Sequence, residues 1–228
     1  MLELKEQIAK RRLGVAVLFP ALLLVLLWLA YVIAINTEGG SLYWLGIYPR
    51  TVAGLVGIVL SPLLHADFEH ALSNSIALAL LGVALFYFYP REAFQVLVFG
   101  WLFSGLLTWL IARPAYHIGA SGLIYVFGVY LIFRGWRVRR KALAALSLLV
   151  TFAYGSMIWG IFPAELHISW EGHLSGALVG VVLAFWQKVD NKAPLAAFGA
   201  PSAYDFSTYS HTGLPNWKLR YRSPKEKR

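Results

Sequence analysis

Long apolar stretches alternate with short polar segments along most of this chain, and this pattern predicts helices that cross a membrane. The first stretch, Leu13–Ile35, contains no charged residue, and about 20 apolar residues suffice to span the hydrocarbon core of a bilayer. It lacks the small-residue cleavage site of a signal peptide, so we expect a retained span. The same reasoning predicts five further helices: one that follows His65–Asn74 and ends near Tyr89, then Ala93–Ile111, a short one from Ser121 to Phe133, Ala142–Phe162 and Glu171–Gln187.

The segment between the first two spans, Asn36–Leu64, has a different character. It contains Gly39-Gly40 and two prolines, and its apolar part, Val52–Leu60, is too short to cross a bilayer. Irregular backbone is tolerated at membrane depth only where it packs on protein. We therefore expect a loop that lies in the outer interface and packs against the helices.

The basic residues predict an orientation for these spans. With six spans both chain ends lie on one side, and all 20 Lys and Arg residues except Arg50 and Arg113 fall on that side. The positive-inside rule then places both termini in the cytoplasm. The predicted organisation is a basic N-terminal lead (residues 1–12), a six-helix membrane domain (residues 13–190) and a basic cytoplasmic tail (residues 191–228).

The composition agrees with one membrane domain. Hydrophobic residues make up 59% of the chain and the mean hydropathy is +0.63. A net charge of +9 could indicate nucleic-acid binding, but basic residues beside the ends of apolar spans are typical of membrane topology. The absence of cysteine excludes disulfides, a thiol nucleophile and a thiolate metal site. We expect an all-α integral membrane protein in contact with the lipid bilayer, without a nucleic-acid partner.

The helix that begins at Ser121 is predicted to be short. Arg134 opens a basic run that cannot lie in hydrocarbon, so we expect it to mark the inner membrane face. The about 13 residues from Ser121 to Phe133 cover roughly 20 Å of a core that is about 30 Å thick. Ser121 would therefore begin its helix inside the membrane, next to Gly119 and Gly122.

Similar counting places other polar residues at the same depth. At about 1.5 Å per residue from the inner face, His173 lies at about 22 Å and Asn74 at about 25 Å, with His70 one turn higher. Three separate helices thus carry a serine, a histidine and an asparagine into one layer near the outer leaflet. Ionisable residues within a membrane are candidates for function.

These residue types suit acyl transfer. An imidazole can activate a serine hydroxyl, which makes Ser121 a candidate nucleophile and His173 its base. The Ser121 N–H at the helix start, the Asn74 amide and His70 could stabilise an oxyanion. Tyr125, one turn after Ser121, could stack on His173. The alternatives are a serine that only packs, and a helix cap formed by His70 and Asn74.

Together these motifs resemble the rhomboid family of intramembrane serine proteases. The resemblance covers about Asn36–Gln187 and rests on three patterns: His65-x4-His70-x3-Asn74, Gly119-x-Ser121-Gly122 with Tyr125, and His173-x2-Gly176-x3-Gly180. It implies a six-helix bundle with a water-filled cavity open to the outside. It implies Ser121 as nucleophile, His173 as its partner, and an oxyanion site made by His70, Asn74 and the Ser121 N–H, with Gly119 permitting close approach. It further implies cleavage of single-span membrane proteins near their outer ends, without a cofactor.

Some residues fit this pattern less directly. Many members of the family carry a Trp-Arg pair in the first outer loop, whereas Trp44 and Arg50 are separated here. We expect His65 to be a structural hydrogen-bonding residue. The remaining histidines, His117, His167 and His211, are interpreted as ordinary loop or tail residues.

Three other functions compete with the protease. The spacing of His65 and His70 does not match the His-Glu-x-x-His pattern of zinc peptidases, so no metal site is predicted. A rhomboid-like protein without catalysis could bind the transmembrane segments of client proteins. A transporter could use the buried histidines to relay protons. Labelling of Ser121 by a serine-reactive probe would separate the enzyme from the binding protein.

Overall fold

The structure is a computed structural model that describes residues 2–37, 39, 41–138, 141–163 and 169–188. The predicted tail (residues 191–228, with His211) and the loop residue His167 lie outside this part. Helices dominate the described residues, as the apolar pattern predicted, and they are α1 (Leu2–Ile35), α2 (Gly57–Leu60), α3 (Phe68–Phe88), α4 (Ala93–Ile111), α5 (Ser121–Val138), α6 (Lys141–Tyr154) and α7 (Trp170–Trp186).

Within the described residues, four helical stretches are long and apolar enough to cross a membrane: Arg12–Ile35, Phe68–Phe88, Ala93–Ile111 and Lys141–Ile161. The last of these joins α6 to a 3₁₀ segment, Gly155–Ile161. Helix α5 carries two arginines near its C-terminus, and α7 is 17 residues long. Both of these helices are therefore less apolar or shorter than the other spans.

The first helix is continuous from Leu2 to Ile35, so the predicted lead and the first span form one helix. Pro20 lies inside it, where a proline normally removes a backbone hydrogen bond. The ring of Pro20 packs against Gly82 of α3, where a Cβ would come within 3.0 Å of the proline Cγ. Helix α1 thus packs closely along α3.

Helix α5 forms the centre of the bundle. It packs against α3, α4, α6 and α7. Its apolar side chains are buried around most of its circumference, as expected for a helix surrounded by others: Leu123, Val126, Phe127, Tyr130 and Leu131. This central position presents the N-terminus of α5, with Ser121, to residues near the N-terminal ends of α3 and α7.

The predicted helix boundary at Phe133 is wrong, because α5 continues to Val138 and has 18 residues. That Ser121 begins this helix inside the membrane stays a prediction. Arg134 is buried within the protein, with only 1% of its surface exposed. Its guanidinium forms an ion pair with Glu92 and donates a hydrogen bond of 2.8 Å to the carbonyl of Gln187. A buried charge with an ionic partner and satisfied donors is tolerated, so the helix does not have to end there.

The segment between α1 and α3 consists of short helical turns packed on α4. The indole of Trp101 donates to the carbonyl of Ile58 (3.1 Å), and that of Trp109 donates to the carbonyl of Thr51 (2.9 Å). Arg50, whose φ is 57°, donates to the carbonyl of Ala112 (2.8 Å) just beyond α4. Arg50 therefore caps the end of α4, whereas Trp44 is 57% exposed.

Candidate active site

Ser121 and His173 meet where the N-terminal ends of α5 and α7 approach each other. Ser121 is the first residue of α5, and His173 lies in the first turn of α7. The distance between Ser121 Oγ and His173 Nε2 is 2.8 Å, which is a normal hydrogen bond. The two side chains are 52 residues apart in sequence, so this contact depends on how the two helices pack.

Glycines allow the two helices to approach this closely. A Cβ at Gly122 would lie 3.3 Å from the carbonyl oxygen of Gly172, and a Cβ at Gly176 would overlap the backbone of Gly122. One turn further, a Cβ at Gly180 would lie 2.8 Å from the carbonyl oxygen of Val126. The small-residue spacing of α7 therefore brings its backbone against that of α5.

The 3₁₀ segment Gly155–Ile161 orients the imidazole of His173. His173 Nδ1 lies 2.9 Å from the carbonyl oxygen of Gly160, which can only accept, so we assign the ring proton to Nδ1. Nε2 is then unprotonated and accepts from the Ser121 hydroxyl. The ring of Tyr125 stacks on the imidazole with 4.4 Å between centroids, and its hydroxyl donates to the carbonyl of Met157 (2.7 Å).

Asn74 and His70, from α3, lie beside Gly119. The φ of Gly119 is +110°, and a Cβ there would lie 2.8 Å from His70 Nε2 and 3.5 Å from Asn74 Nδ2. Only a residue without a side chain fits this position comfortably, because the conformation is strained for other residues and the space is occupied. The backbone two residues before Ser121 is therefore in contact with both polar side chains.

His65 holds Asn74 and the start of α5 together. Its Nε2 lies 3.0 Å from Asn74 Nδ2 and 3.4 Å from the backbone nitrogen of Ala120. Burial, together with the neighbouring His70, lowers the pKa of His65 to about 4. The ring is neutral near pH 7 and can accept both bonds at Nε2. His65 thus acts as a hydrogen-bonding residue at the base of the loop.

The Rhomboid domain family matches residues 52–188, which includes all of these site residues. The chain belongs to the rhomboid family. Given this match and its apolar helices, it is an integral membrane protein.

The chain is also similar in sequence to several individual proteins. An uncharacterised protein of Mycobacterium tuberculosis is 38% identical over 149 residues, covering 61% of this chain and 62% of that protein. "RHOMBOID-like protein 1" of Arabidopsis thaliana is 30% identical over 131 residues, covering 54% of this chain and 32% of that protein. "Putative rhomboid protease YdcA" of Bacillus subtilis is 30% identical over 129 residues, covering 54% and 62%. The chain thus spans less than two thirds of the length of the mycobacterial relative.

A cavity of about 970 Å³ opens beside the serine of this rhomboid domain. Its wall includes both members of the hydrogen-bonded pair and the two α3 residues beside Gly119: Ser121, His173, His70 and Asn74. Other parts of the wall come from the loop before α5 and from Asp67 at the start of α3. The cavity is large enough to admit a segment of extended chain and several waters.

Sequence reasoning about this rhomboid missed a second Ser–His contact. His117 is not an ordinary loop residue, because it is buried and its Nδ1 lies 2.7 Å from Ser169 Oγ. Nearby, Arg113 and Glu171 form an ion pair with 3.6 Å between Nε and Oε1. Equal spacing in the sequence could have indicated this contact, since His117 precedes Ser121 by four residues and Ser169 precedes His173 by four.

The described part of the chain offers no cluster of three or more His, Cys, Asp or Glu side chains that could hold a metal ion. His65 and His70 are neighbours, with 4.9 Å between ring centroids, but Nε2 of His65 faces Asn74 and Ala120. His65 Nε2 is therefore engaged with the Asn74 side chain and with the backbone of Ala120.

Proposed function

We propose that this rhomboid protein is a serine endopeptidase that cleaves single-span membrane proteins within the bilayer, near the outer membrane face. The hydrogen bond of 2.8 Å between Ser121 Oγ and His173 Nε2 is the observation that carries the proposal. A serine beside an imidazole is the arrangement used for nucleophilic acyl transfer. The name of the Bacillus subtilis relative, which includes the words "rhomboid protease", supports the same activity.

In the proposed reaction His173 first acts as general base. Ser121 Oγ attacks the carbonyl carbon of the scissile peptide while its proton passes to His173 Nε2. The tetrahedral intermediate collapses when the C–N bond breaks, and the proton on Nε2 passes to the leaving amine. Water then attacks the acyl-enzyme with the same histidine as base, which releases the acid product and restores Ser121. The carbonyl of Gly160 holds the Nδ1–H and stabilises the imidazolium in place of a carboxylate.

The negative charge on the carbonyl oxygen would be stabilised by three donors. The first is the Ser121 N–H, which belongs to the first residue of α5 and therefore has no partner within the helix. The others are the Asn74 amide and His70 Nε2, both of which border Gly119. The N–H of Gly119 donates to the carbonyl of Ser61 (2.9 Å), so we do not assign it to this site.

The proposal includes a topology. We infer that α1 and α3 to α7 cross the membrane, that both chain termini lie in the cytoplasm, and that the cavity opens to the outer side. The distribution of Lys and Arg supports this orientation. Helices α5 and α7 are covered on several sides by the others, so their lower apolarity is compatible with spanning. The substrates would enter from the lipid bilayer.

A serine-reactive probe tests the proposal. Purified full-length protein in detergent is incubated with a fluorescent fluorophosphonate or an isocoumarin, and cleavage of a single-span substrate is followed in liposomes. We expect labelling and cleavage by the wild type and by the control Ser147→Ala, and neither by Ser121→Ala. His173→Ala should also be inactive. A wild type that binds a transmembrane segment but is neither labelled nor able to cleave would instead be a non-catalytic client-binding protein.

A further inference from the structure

His117 lies where three parts of the chain meet. Its backbone forms an antiparallel bridge with Ile47 of the first outer loop, with N–O distances of 2.8 and 3.0 Å. Its ring Nε2 lies 3.1 Å from the carbonyl oxygen of Arg113, which can only accept, so we assign the ring proton to Nε2. Nδ1 is then an acceptor for the Ser169 hydroxyl, 2.7 Å away. The ring therefore connects the loop before α5 to the residue before α7.

Ser169 is the N-cap residue of α7, but its hydroxyl does not cap the helix. A serine at this position normally accepts from a backbone N–H of the first turn. Here the hydroxyl is directed to His117, and Gly172 leaves the space for it, because a Cβ at Gly172 would lie 2.9 Å from Ser169 Oγ. A good helix cap is thus replaced by a bond to another segment.

The spacing relates this contact to the Ser121–His173 pair. His117 and Ser169 each precede a member of that pair by four residues. Between His117 and Ser121 the backbone is also fixed at Gly119, whose N–H donates to Ser61. The ion pair between Arg113 and Glu171 adds a second connection between the same two segments. The two segments that carry the nucleophile and its base therefore have little freedom to move apart.

We propose that His117 and Ser169 are positioning residues that fix the distance between Ser121 Oγ and His173 Nε2. The expected effect on catalysis rests on the proposed function. The expected effect on the position of α7 relative to the loop before α5 rests on the contacts alone. Without the His117–Ser169 bond, the start of α7 separates from the loop before α5, and the reacting atoms no longer stay at 2.8 Å. His117 and Ser169 also line the cavity, but their side chains are bonded to each other, so we expect their loss to change kcat rather than KM.

Kinetics of the full-length protein in liposomes test the catalytic part. Ser169→Ala should lower kcat and the rate of fluorophosphonate labelling at least about tenfold with KM unchanged, because a misplacement of about 1 Å can cost about 100-fold in rate. Ser169→Thr keeps the hydroxyl and His117→Asn keeps an acceptor near Nδ1, so both should recover much of the loss. Unchanged kcat in Ser169→Ala, or a change in KM alone, would overturn the inference.

A matched control separates positioning from general stability. Ser147→Ala also removes a buried hydroxyl that bonds between helices, to the carbonyl of Leu131 of α5 (3.0 Å), but far from the site. It should lower the melting temperature about as much as Ser169→Ala while kcat stays unchanged. An equal loss of kcat in both variants would show a stability effect and overturn the inference.

A distance measurement tests whether the His117–Ser169 bond holds the two segments together, without relying on activity. The chain has no cysteine, so Pro114→Cys and Leu178→Cys, both at exposed positions, give one defined pair of spin labels. We expect the distance distribution between them to broaden in Ser169→Ala and to stay narrow in Ser147→Ala. An unchanged distribution in Ser169→Ala would overturn the inference even if the protein is an active protease. If the wild type proves inactive but the distribution still broadens in Ser169→Ala, the proposed function is wrong, whereas the positioning by the His117–Ser169 bond is supported.

Discussion

Asn74 and His65 are joined side chain to side chain, with 3.0 Å between the amide nitrogen and the imidazole Nε2. Because Nε2 of a neutral His65 accepts, the amide group of Asn74 has a fixed orientation, with Nδ2 toward His65. An NH₂ group has a second hydrogen, and Nδ2 lies close to Gly119 in the loop that leads to Ser121. His65 thus orients a donor of the proposed oxyanion site without touching the substrate.

Loss of the Asn74 amide should impair the chemical step of the proposed reaction. Removing one preorganised oxyanion donor typically lowers kcat by about 100- to 1,000-fold, and we expect Asn74→Ala to fall in this range with little change in KM. Ser75→Ala is the matched control, because Ser75 is buried next to Asn74 but bonds to the carbonyl of Ala71 in its own helix (2.7 Å). Steady-state cleavage in liposomes provides both constants. A kcat of Asn74→Ala equal to that of the control would remove Asn74 from the oxyanion site.

The buried imidazole of His65 should make stability depend on pH. The pKa of His65 is lowered by burial and by His70 to about 4, whereas an unfolded histidine titrates near 6.5. Below about pH 6.5 the unfolded state therefore binds a proton that the folded state does not, and stability is lost as the pH falls toward 4. The contribution of His65 is at most about 3 kcal/mol.

The difference between wild type and His65→Gln isolates this contribution from those of the other histidines. We expect the wild type to lose more free energy of unfolding than His65→Gln between pH 7 and pH 4, measured by reversible unfolding in mixed micelles. Equal pH dependence of the two proteins would mean that His65 is not responsible.

A side chain at Gly119 should damage the site more than the fold. Its left-handed backbone disfavours other residues by about 1–3 kcal/mol, and a Cβ would also press on His70 Nε2. We expect Gly119→Ala to reduce both stability and serine labelling. Gly155→Ala serves for comparison, since a Cβ at Gly155 meets no atom within 4 Å. If Gly119→Ala were labelled as fast as Gly155→Ala, close approach at this position would not be required.

The sequence was sufficient to predict the bounds of a helix where a charged residue or a proline follows its end. Ala93–Ile111 was predicted with the bounds that the structure has, because a charge and a proline follow it within three residues. The sequence predicts too short a helix α5, because a charged residue such as Arg134 normally ends an apolar stretch. Its partner Glu92 lies 42 residues earlier, and no local pattern indicates that the two meet inside the bundle.

The layer of polar residues was predictable only where its members lie on regular helices. Counting residues from the inner face placed Ser121 and His173 at similar depth, and in the structure their side chains are in contact. The carbonyl of Gly160 and the His117–Ser169 bond were missed. Both lie in loops or 3₁₀ turns, whose backbone path has no periodicity from which depth or direction could be counted.

The buried ion pair between Arg134 and Glu92 gives a prediction about stability alone. Removing one partner of such a pair leaves an uncompensated charge and typically costs about 3–5 kcal/mol, so Arg134→Met should be strongly destabilised. Glu92 also accepts from Tyr130 Oη (2.7 Å), so the double variant Arg134→Met/Glu92→Gln should recover part of the loss by removing the charge and keeping an acceptor. Lys141→Met, an exposed position at the start of α6, should change stability by less than about 0.5 kcal/mol. Arg134 lies about 20 Å along α5 from Ser121, so labelling per folded molecule should be unchanged. A double variant less stable than Arg134→Met would contradict this account of the pair.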